Sequence, residues 1–149
     1  MTNAELAQAL RDLRDYLIVA GYEETHVGRY THIARAIESW PEDINILRRE
    51  ARLTDIPGVG KTIAMYLKEF LAEGDCSKYR DWESVAPRTV LELVRIPSIS
   101  ARSAKRLFQE FGVYDLASLK VALEAGRLTG FTQPQMIQIA TACGYPSGS

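Results

Sequence analysis

The sequence contains an internal repeat, and this repeat is the feature that most limits the folds open to the chain. Each copy has the pattern of a helix, a short hairpin with a proline, and a second helix. Two such units can pack their apolar faces together across an approximate two-fold axis, which predicts one compact domain. When the chain is aligned with itself 40 positions apart, the matched pairs are Leu53/Leu93, Ile56/Ile96, Pro57/Pro97, Val59/Ile99, Ala64/Ala104 and Leu67/Leu107.

The spacing of apolar residues predicts an all-α fold. Residues 6–20 repeat leucine at helical intervals, after a capping-box sequence at residues 2–5 and before a stop at Gly21. A second helix is predicted over about residues 25–39, and a short third one starts at Pro41. Further helical patterns cover about residues 60–73, 87–94, 101–111, 115–125 and 134–142. No segment alternates between apolar and polar residues, so no strand is predicted.

Composition predicts a folded protein with free thiols. Of the 149 residues, 46% are hydrophobic and 25% are charged, which suits a buried core. The longest apolar stretch, residues 16–22, is too short to cross a bilayer, and no export signal precedes it. Cys76 and Cys143 have neither metal-site nor disulfide-framework spacing. We therefore expect a cytoplasmic protein with no membrane partner.

The repeat also predicts two subdomains. Residues 1–80 are expected to form a helical subdomain around the first hairpin, and residues 81–144 a subdomain around the second. The segment 74–86, which contains Tyr79 and Trp82, is expected to connect and pack them. Residues 145–149 are expected to form a mobile tail.

The first hairpin, residues 56–60, has the chemistry of a phosphate site. Its glycines permit positive φ and close backbone approach, and the amides at the following helix start attract anions. Residues 58–62, Gly-Val-Gly-Lys-Thr, do not form a nucleotide-binding P-loop. Asp55 stands where a P-loop requires glycine, and a predicted helix stands where a P-loop has its preceding strand. The candidate contacts are Gly58, Val59, Gly60, Lys61 and Thr62.

Residues 53–61, Leu-Thr-Asp-Ile-Pro-Gly-Val-Gly-Lys, resemble the helix-hairpin-helix motif of the family X DNA polymerases, the relatives of DNA polymerase beta. The leading helix, Tyr30 within residues 29–41, and residues 119–131 resemble that family's amino-terminal lyase and fingers regions in order and spacing. The resemblance covers about residues 3–142. It implies a lyase-like subdomain 1–80 and a fingers-like subdomain 81–144 whose hairpins grip DNA backbones without sequence preference. It also implies a monovalent cation, Na⁺ or K⁺, on the main-chain carbonyls of Thr54, Ile56 and Val59.

Departures from the family pattern predict a protein without catalysis. We expect no polymerase palm, and therefore no nucleotide addition. The family's lyase attacks with a lysine amine, whereas the matching position here is Tyr66, which cannot form an imine. Lys61 and Lys68 point elsewhere on the same helix. His26 stands at the position of a basic residue that holds the 5′ phosphate in many relatives, and is a weaker anion ligand.

The second hairpin departs further, since Ser98 and Ser100 stand where glycines are expected. If Ser98 takes a positive φ, the strain is on the order of 1 kcal/mol, and serine side chains can block a phosphate. Against this, residues 88–120 hold six basic and three acidic residues, although the whole chain has a net charge of -1. Such a local basic face suits DNA, with Arg102 and Lys105 as candidate contacts. An ordinary solvated helix surface explains the charges equally well.

Three hypotheses follow. The first is a non-catalytic module that binds duplex or gapped DNA weakly and without sequence preference, in DNA repair, alongside a repair or replication protein. The second is a protein-interaction domain that kept the fold while its second hairpin lost the phosphate site. The third is a deoxyribose phosphate lyase with a displaced nucleophile, for which no aligned amine is present. Because the first hairpin is intact, we favour the first.

Overall fold

Helices form throughout the computed structural model, which describes residues 1–146. No β-strand occurs within that range, so the all-α prediction is confirmed. The described residues form nine α-helices: α1 (Asn3–Ala20), α2 (Glu24–Glu38), α3 (Ile44–Arg49), α4 (Lys61–Glu73), α5 (Ser77–Trp82), α6 (Leu91–Val94), α7 (Ala101–Phe111), α8 (Leu116–Glu124) and α9 (Gln133–Ala142). Short 3₁₀ turns at Leu53–Asp55 and Arg88–Val90 precede the two hairpins. Within the described range, no helix has the length and apolar character needed to cross a membrane.

Helix boundaries follow local capping chemistry. The predicted capping box of Thr2 and Glu5 opens α1, and Gly21 closes it with a φ of 99°. The prediction that the third helix starts at Pro41 is wrong, since α3 begins at Ile44. The carboxylate of Asp43 accepts a hydrogen bond from the Asn45 N–H at 2.9 Å and fixes the start there. A start at Pro41 would leave Trp40, which has no side-chain acceptor, in the capping position.

The segment expected to be a connector contains α5. Tyr79 of this helix is buried, with its ring 5.0 Å from that of Tyr16. The Tyr16 hydroxyl donates to the Ala86 carbonyl at 2.6 Å, which fastens the end of the segment to α1. The expected boundary after residue 80 falls inside α5.

Tyr145, the first residue of the expected mobile tail, contacts α8. The Tyr145 hydroxyl donates to the Glu124 carboxylate at 2.6 Å and holds that residue against α8. The rest of the expected mobile tail, residues 147–149, lies outside the described residues.

One apolar core joins both copies of the repeat. Helix α1 contacts α2, α4, α6 and α7, so its leucines lie at the centre of the fold. Burial of a leucine side chain stabilises the fold by on the order of 2 kcal/mol. This stabilisation explains why the matched positions are apolar in both copies of the repeat. The buried members of the repeat are Leu53, Ile56, Val59, Ala64, Leu67, Leu93, Ile96, Ile99, Ala104 and Leu107.

Candidate functional site

The first hairpin is anchored by its apolar residues and exposes its glycines. Ile56 and Val59 are buried, and the Val59 N–H donates to the Ile56 carbonyl at 3.0 Å, which closes the turn. Gly58 lies in this turn with a φ of 87°, a conformation that favours glycine. An added Cβ at Gly58 would lie 3.4 Å from the Ile33 side chain. Gly58 and Gly60 are nevertheless exposed, so the turn presents their backbone to solvent.

The start of α4 carries no side-chain cap. Gly60 is the capping residue and has no side chain to accept a hydrogen bond from the first turn. Within residues 1–146, the N–H groups of Lys61 and Thr62 have no protein acceptor. A Cβ at Gly60 would meet no heavy atom within 4 Å, so the space in front of these amides is open. Open amides at the positive end of a helix can receive an anion.

The second hairpin repeats the backbone of the first. The Ile96 N–H donates to the Leu93 carbonyl at 3.2 Å, as the Ile56 N–H does to the Leu53 carbonyl at the same distance. Ser98 adopts a φ of 70°, the left-handed conformation that its position requires. The two hairpins therefore share a fold and differ in their surface chemistry.

Serine and glutamine side chains close the second hairpin. The Ser100 hydroxyl accepts from the Ser103 N–H at 3.2 Å and caps α7. The Gln135 side-chain amide, from the start of α9, donates to the Ser98 carbonyl at 3.3 Å and to the Ser103 hydroxyl at 3.0 Å. An anion that bound the Ser103 N–H would have to displace the Ser100 hydroxyl.

Several basic residues predicted to form a local face are paired with carboxylates. Arg102 donates to both oxygens of Glu24, and Arg106 donates to Glu110. Lys105 is half-buried and has no ion-pair partner among residues 1–146. The face is therefore less positive than the sequence count indicates.

The position that matches the family's lyase lysine holds a buried tyrosine. Tyr66 is buried, and burial together with nearby Cys76 and Asp81 raises its pKa. Tyr30 is only 1% exposed, and burial raises its pKa to about 12. Both phenols are therefore neutral at physiological pH, and Tyr30 belongs to the core.

His26 is exposed on the first turn of α2. Its Nε2 lies 3.5 Å from the Glu23 carboxylate, and its ring meets the Tyr22 ring edge-on at 6.1 Å. Thr25 and Arg29 line a shallow surface depression with it. An anion here would contact Arg29 in addition to the weaker histidine.

The helix-hairpin-helix domain family matches residues 1–76, about half of the chain. The chain belongs to this family. The matched range includes the first hairpin and Tyr66, and it ends before the second hairpin. The hairpin whose following helix has no side-chain cap is therefore the one that the family pattern covers.

One relative aligns with nearly the whole helix-hairpin-helix chain. The DNA polymerase/3′-5′ exonuclease PolX of Bacillus subtilis (strain 168) is 25% identical over 147 residues, which cover 97% of this chain and 25% of the relative. The chain thus spans about a quarter of that relative's length. The resemblance to family X DNA polymerases inferred from residues 53–61 is confirmed.

Sequence reasoning missed two residues at the second hairpin, Glu24 and Gln135. Glu24 lies 78 positions from its partner Arg102, and Gln135 lies 37 positions from Ser98. Neither belongs to the repeat or to a motif. The only local signal was the capping box of Thr132 and Gln135, which marks the start of α9 but not what lies against it.

Proposed function

We propose that this helix-hairpin-helix chain is a DNA-binding module that contacts the phosphate backbone through its first hairpin. The observation that carries the proposal is the open start of α4, where Gly60 leaves the amides of Lys61 and Thr62 free of protein acceptors among the described residues. Lys61 is exposed and adds a positive charge next to these amides. The match of residues 1–76 to the family and the similarity to PolX support DNA as the ligand.

Binding is expected to be weak and independent of sequence. Amides and lysines contact phosphates, which carry no base information. The net charge of -1 provides no overall attraction to DNA. With two to four phosphates contacted, the log–log dependence of the binding constant on salt has a slope of about -2 to -4.

A salt titration with fluorescently labelled gapped and intact duplexes tests this proposal. Anisotropy should rise at low salt with both DNAs, and the affinity should fall with the slope given above. An absence of binding to either DNA at low salt would overturn the proposal.

We propose that a monovalent cation, Na⁺ or K⁺, supports the first hairpin. The Thr54 and Val59 carbonyls accept no hydrogen bond from residues 1–146. The Ile56 carbonyl accepts one, from Val59, and retains a second lone pair. Replacing these salts with tetramethylammonium chloride at equal ionic strength should weaken DNA binding, since the larger ion cannot approach carbonyls closely. Equal affinity in both salts would contradict the cation's role.

The module is proposed to act without catalysis, in DNA repair beside a repair or replication protein that supplies the chemistry. Tyr66 supports this, because a phenol with a raised pKa offers no amine for an imine. Burial at the same position would lower a lysine pKa and favour the reactive neutral amine, whereas the charge of nearby Asp81 would raise that pKa.

A second candidate function is protein interaction. An apolar groove of about 530 Å³ lies between α8 and α9, lined by Leu123, Phe131, Met136 and Ile137 among others. Ile137 is 47% exposed, and such exposed apolar surface is typical of interaction sites. If DNA binding fails in the titration above, this groove becomes the leading site, and substitution of Ile137 by aspartate is its first test.

A further inference from the structure

Arg102 and Glu24 form a two-point ion pair between the first turn of α7 and the first turn of α2. The Arg102 Nη2 lies 2.8 Å from the Glu24 Oε2, and the Nε lies 3.1 Å from the Oε1. The Arg102 side chain is 80% exposed and that of Glu24 is 38% exposed. The pair therefore lies at the surface, where DNA could reach the guanidinium.

Glu24 faces two of the cations that are candidates for DNA contact. Hydrogen bonding from Arg102 lowers the pKa of Glu24, and the charge of Lys105 lowers it further. The carboxylate is therefore ionised at any pH at which DNA binding would be measured. Its two oxygens engage the guanidinium in the same planar fork that a phosphate uses.

We infer that Glu24 acts as an internal substitute for phosphate and keeps Arg102 of α7 from contributing to DNA binding. The inference rests on the proposed DNA-binding function and deepens it by naming the residue that confines binding to the first hairpin. A phosphate must compete with a carboxylate that is already in place on Arg102. Because exposed ion pairs are weak, removal of the carboxylate should release Arg102 without loss of the fold.

The test compares Glu24→Gln with Glu23→Gln in salt titrations against the same DNA. Both variants remove one negative charge from the same end of α2, but Glu23 lies beside His26 and outside the Arg102 pair. In Glu24→Gln we expect the slope of the log–log plot of binding constant against salt to be steeper by about 0.9, the contribution of one phosphate contact. Its affinity should then fall about three- to fourfold more than that of the parent between roughly 50 and 200 mM salt. Glu23→Gln should keep the parental slope.

A double-mutant cycle assigns the effect to Arg102. In the double variant, Arg102→Gln should abolish the steeper salt dependence that Glu24→Gln produces. Arg102→Gln alone should change the salt dependence of the parent little. An equal slope in the parent and Glu24→Gln, or an equal gain from both glutamate substitutions, would overturn the inference.

An NMR measurement separates failure of this inference from failure of the proposed function. The Arg102 Nε–Hε signal is followed while inorganic phosphate is added to the parent and to Glu24→Gln. The signal should move in Glu24→Gln and remain in place in the parent, whether or not the parent binds DNA. Identical responses would show that Glu24 does not shield Arg102, even if the first hairpin binds DNA as proposed.

Discussion

Gly60 and Ser100 occupy the same place in the two hairpins and have nearly the same backbone conformation. Gly60 has φ and ψ of -97° and -167°, and Ser100 has -74° and 169°. Only Ser100 has a side chain, and its hydroxyl caps α7. Glycine is therefore not needed for the backbone conformation at this position. Its effect in the first hairpin is to leave the start of α4 open.

The first prediction is that Gly60→Ser makes the fold more stable and DNA binding weaker. A serine here can cap α4 as Ser100 caps α7. A serine cap stabilises a helix by only a few tenths of a kcal/mol relative to a glycine cap, so the free energy of unfolding should rise by about that amount. By analogy with Ser100 and Ser103, this hydroxyl would occupy the Ile63 N–H, which has no acceptor among residues 1–146 and lies beside the amides of Lys61 and Thr62. Urea denaturation and fluorescence anisotropy measure the two effects.

Gly60→Ala is the matched control for that substitution. It adds a Cβ in a space with no heavy atom within 4 Å, but it adds no hydroxyl. It should retain more DNA affinity than Gly60→Ser. If both variants bind DNA as the parent does, capping of α4 has no bearing on binding.

The second prediction is that Ser98→Gly stabilises the protein. Ser98 is exposed and has a φ of 70°, which costs a non-glycine residue about 1–2 kcal/mol. The added freedom of glycine in the unfolded chain offsets about 0.4–1 kcal/mol of this. A gain of up to about 1.6 kcal/mol in the free energy of unfolding should remain, measurable by urea denaturation. A clear loss of stability would mean that Ser98 makes a contact worth more than its strain.

The third prediction is that the parent forms no trapped imine with an incised abasic site in the presence of borohydride. Tyr66→Lys should form one, since burial at this position lowers the pKa of a lysine. Tyr66→Phe keeps the ring and should form none. A parental adduct that disappears on replacement of one lysine would contradict the non-catalytic assignment and identify the nucleophile.

The sequence predicted every helix except α5, together with the repeat and the form of the hairpins, because these depend on local spacing and capping. The positive φ of Ser98, for example, follows from its alignment with Gly58. The start of α3 was mistaken because Pro41 and Asp43 both suit the beginning of a helix, and only Asp43 supplies an acceptor. The partners of Arg102 and Ser98 were missed because α2 and α9 approach α7 through tertiary packing, which residue spacing does not specify.

The fourth prediction concerns the two thiols. Cys76 is 1% exposed, and burial raises its pKa to about 11. Cys143 is half-buried, and burial raises its pKa by less. Thiolate is the reactive form, so iodoacetamide should modify Cys143 first and reach Cys76 only when the protein unfolds. Mass spectrometry after brief labelling measures this order, and early modification of Cys76 would contradict the described core.

The most direct test of the central claim is a reciprocal exchange of residues between the two hairpins, read by DNA anisotropy at low salt. One variant carries Gly58→Ser and Gly60→Ser, and the other carries Ser98→Gly and Ser100→Gly, with folding of both confirmed by circular dichroism. If the first hairpin is the phosphate site, the folded serine variant should lose roughly tenfold or more in affinity, about 1.4 kcal/mol. The glycine variant should bind at least as tightly as the parent. Parental affinity in the serine variant, together with a loss in the glycine variant, would contradict the account.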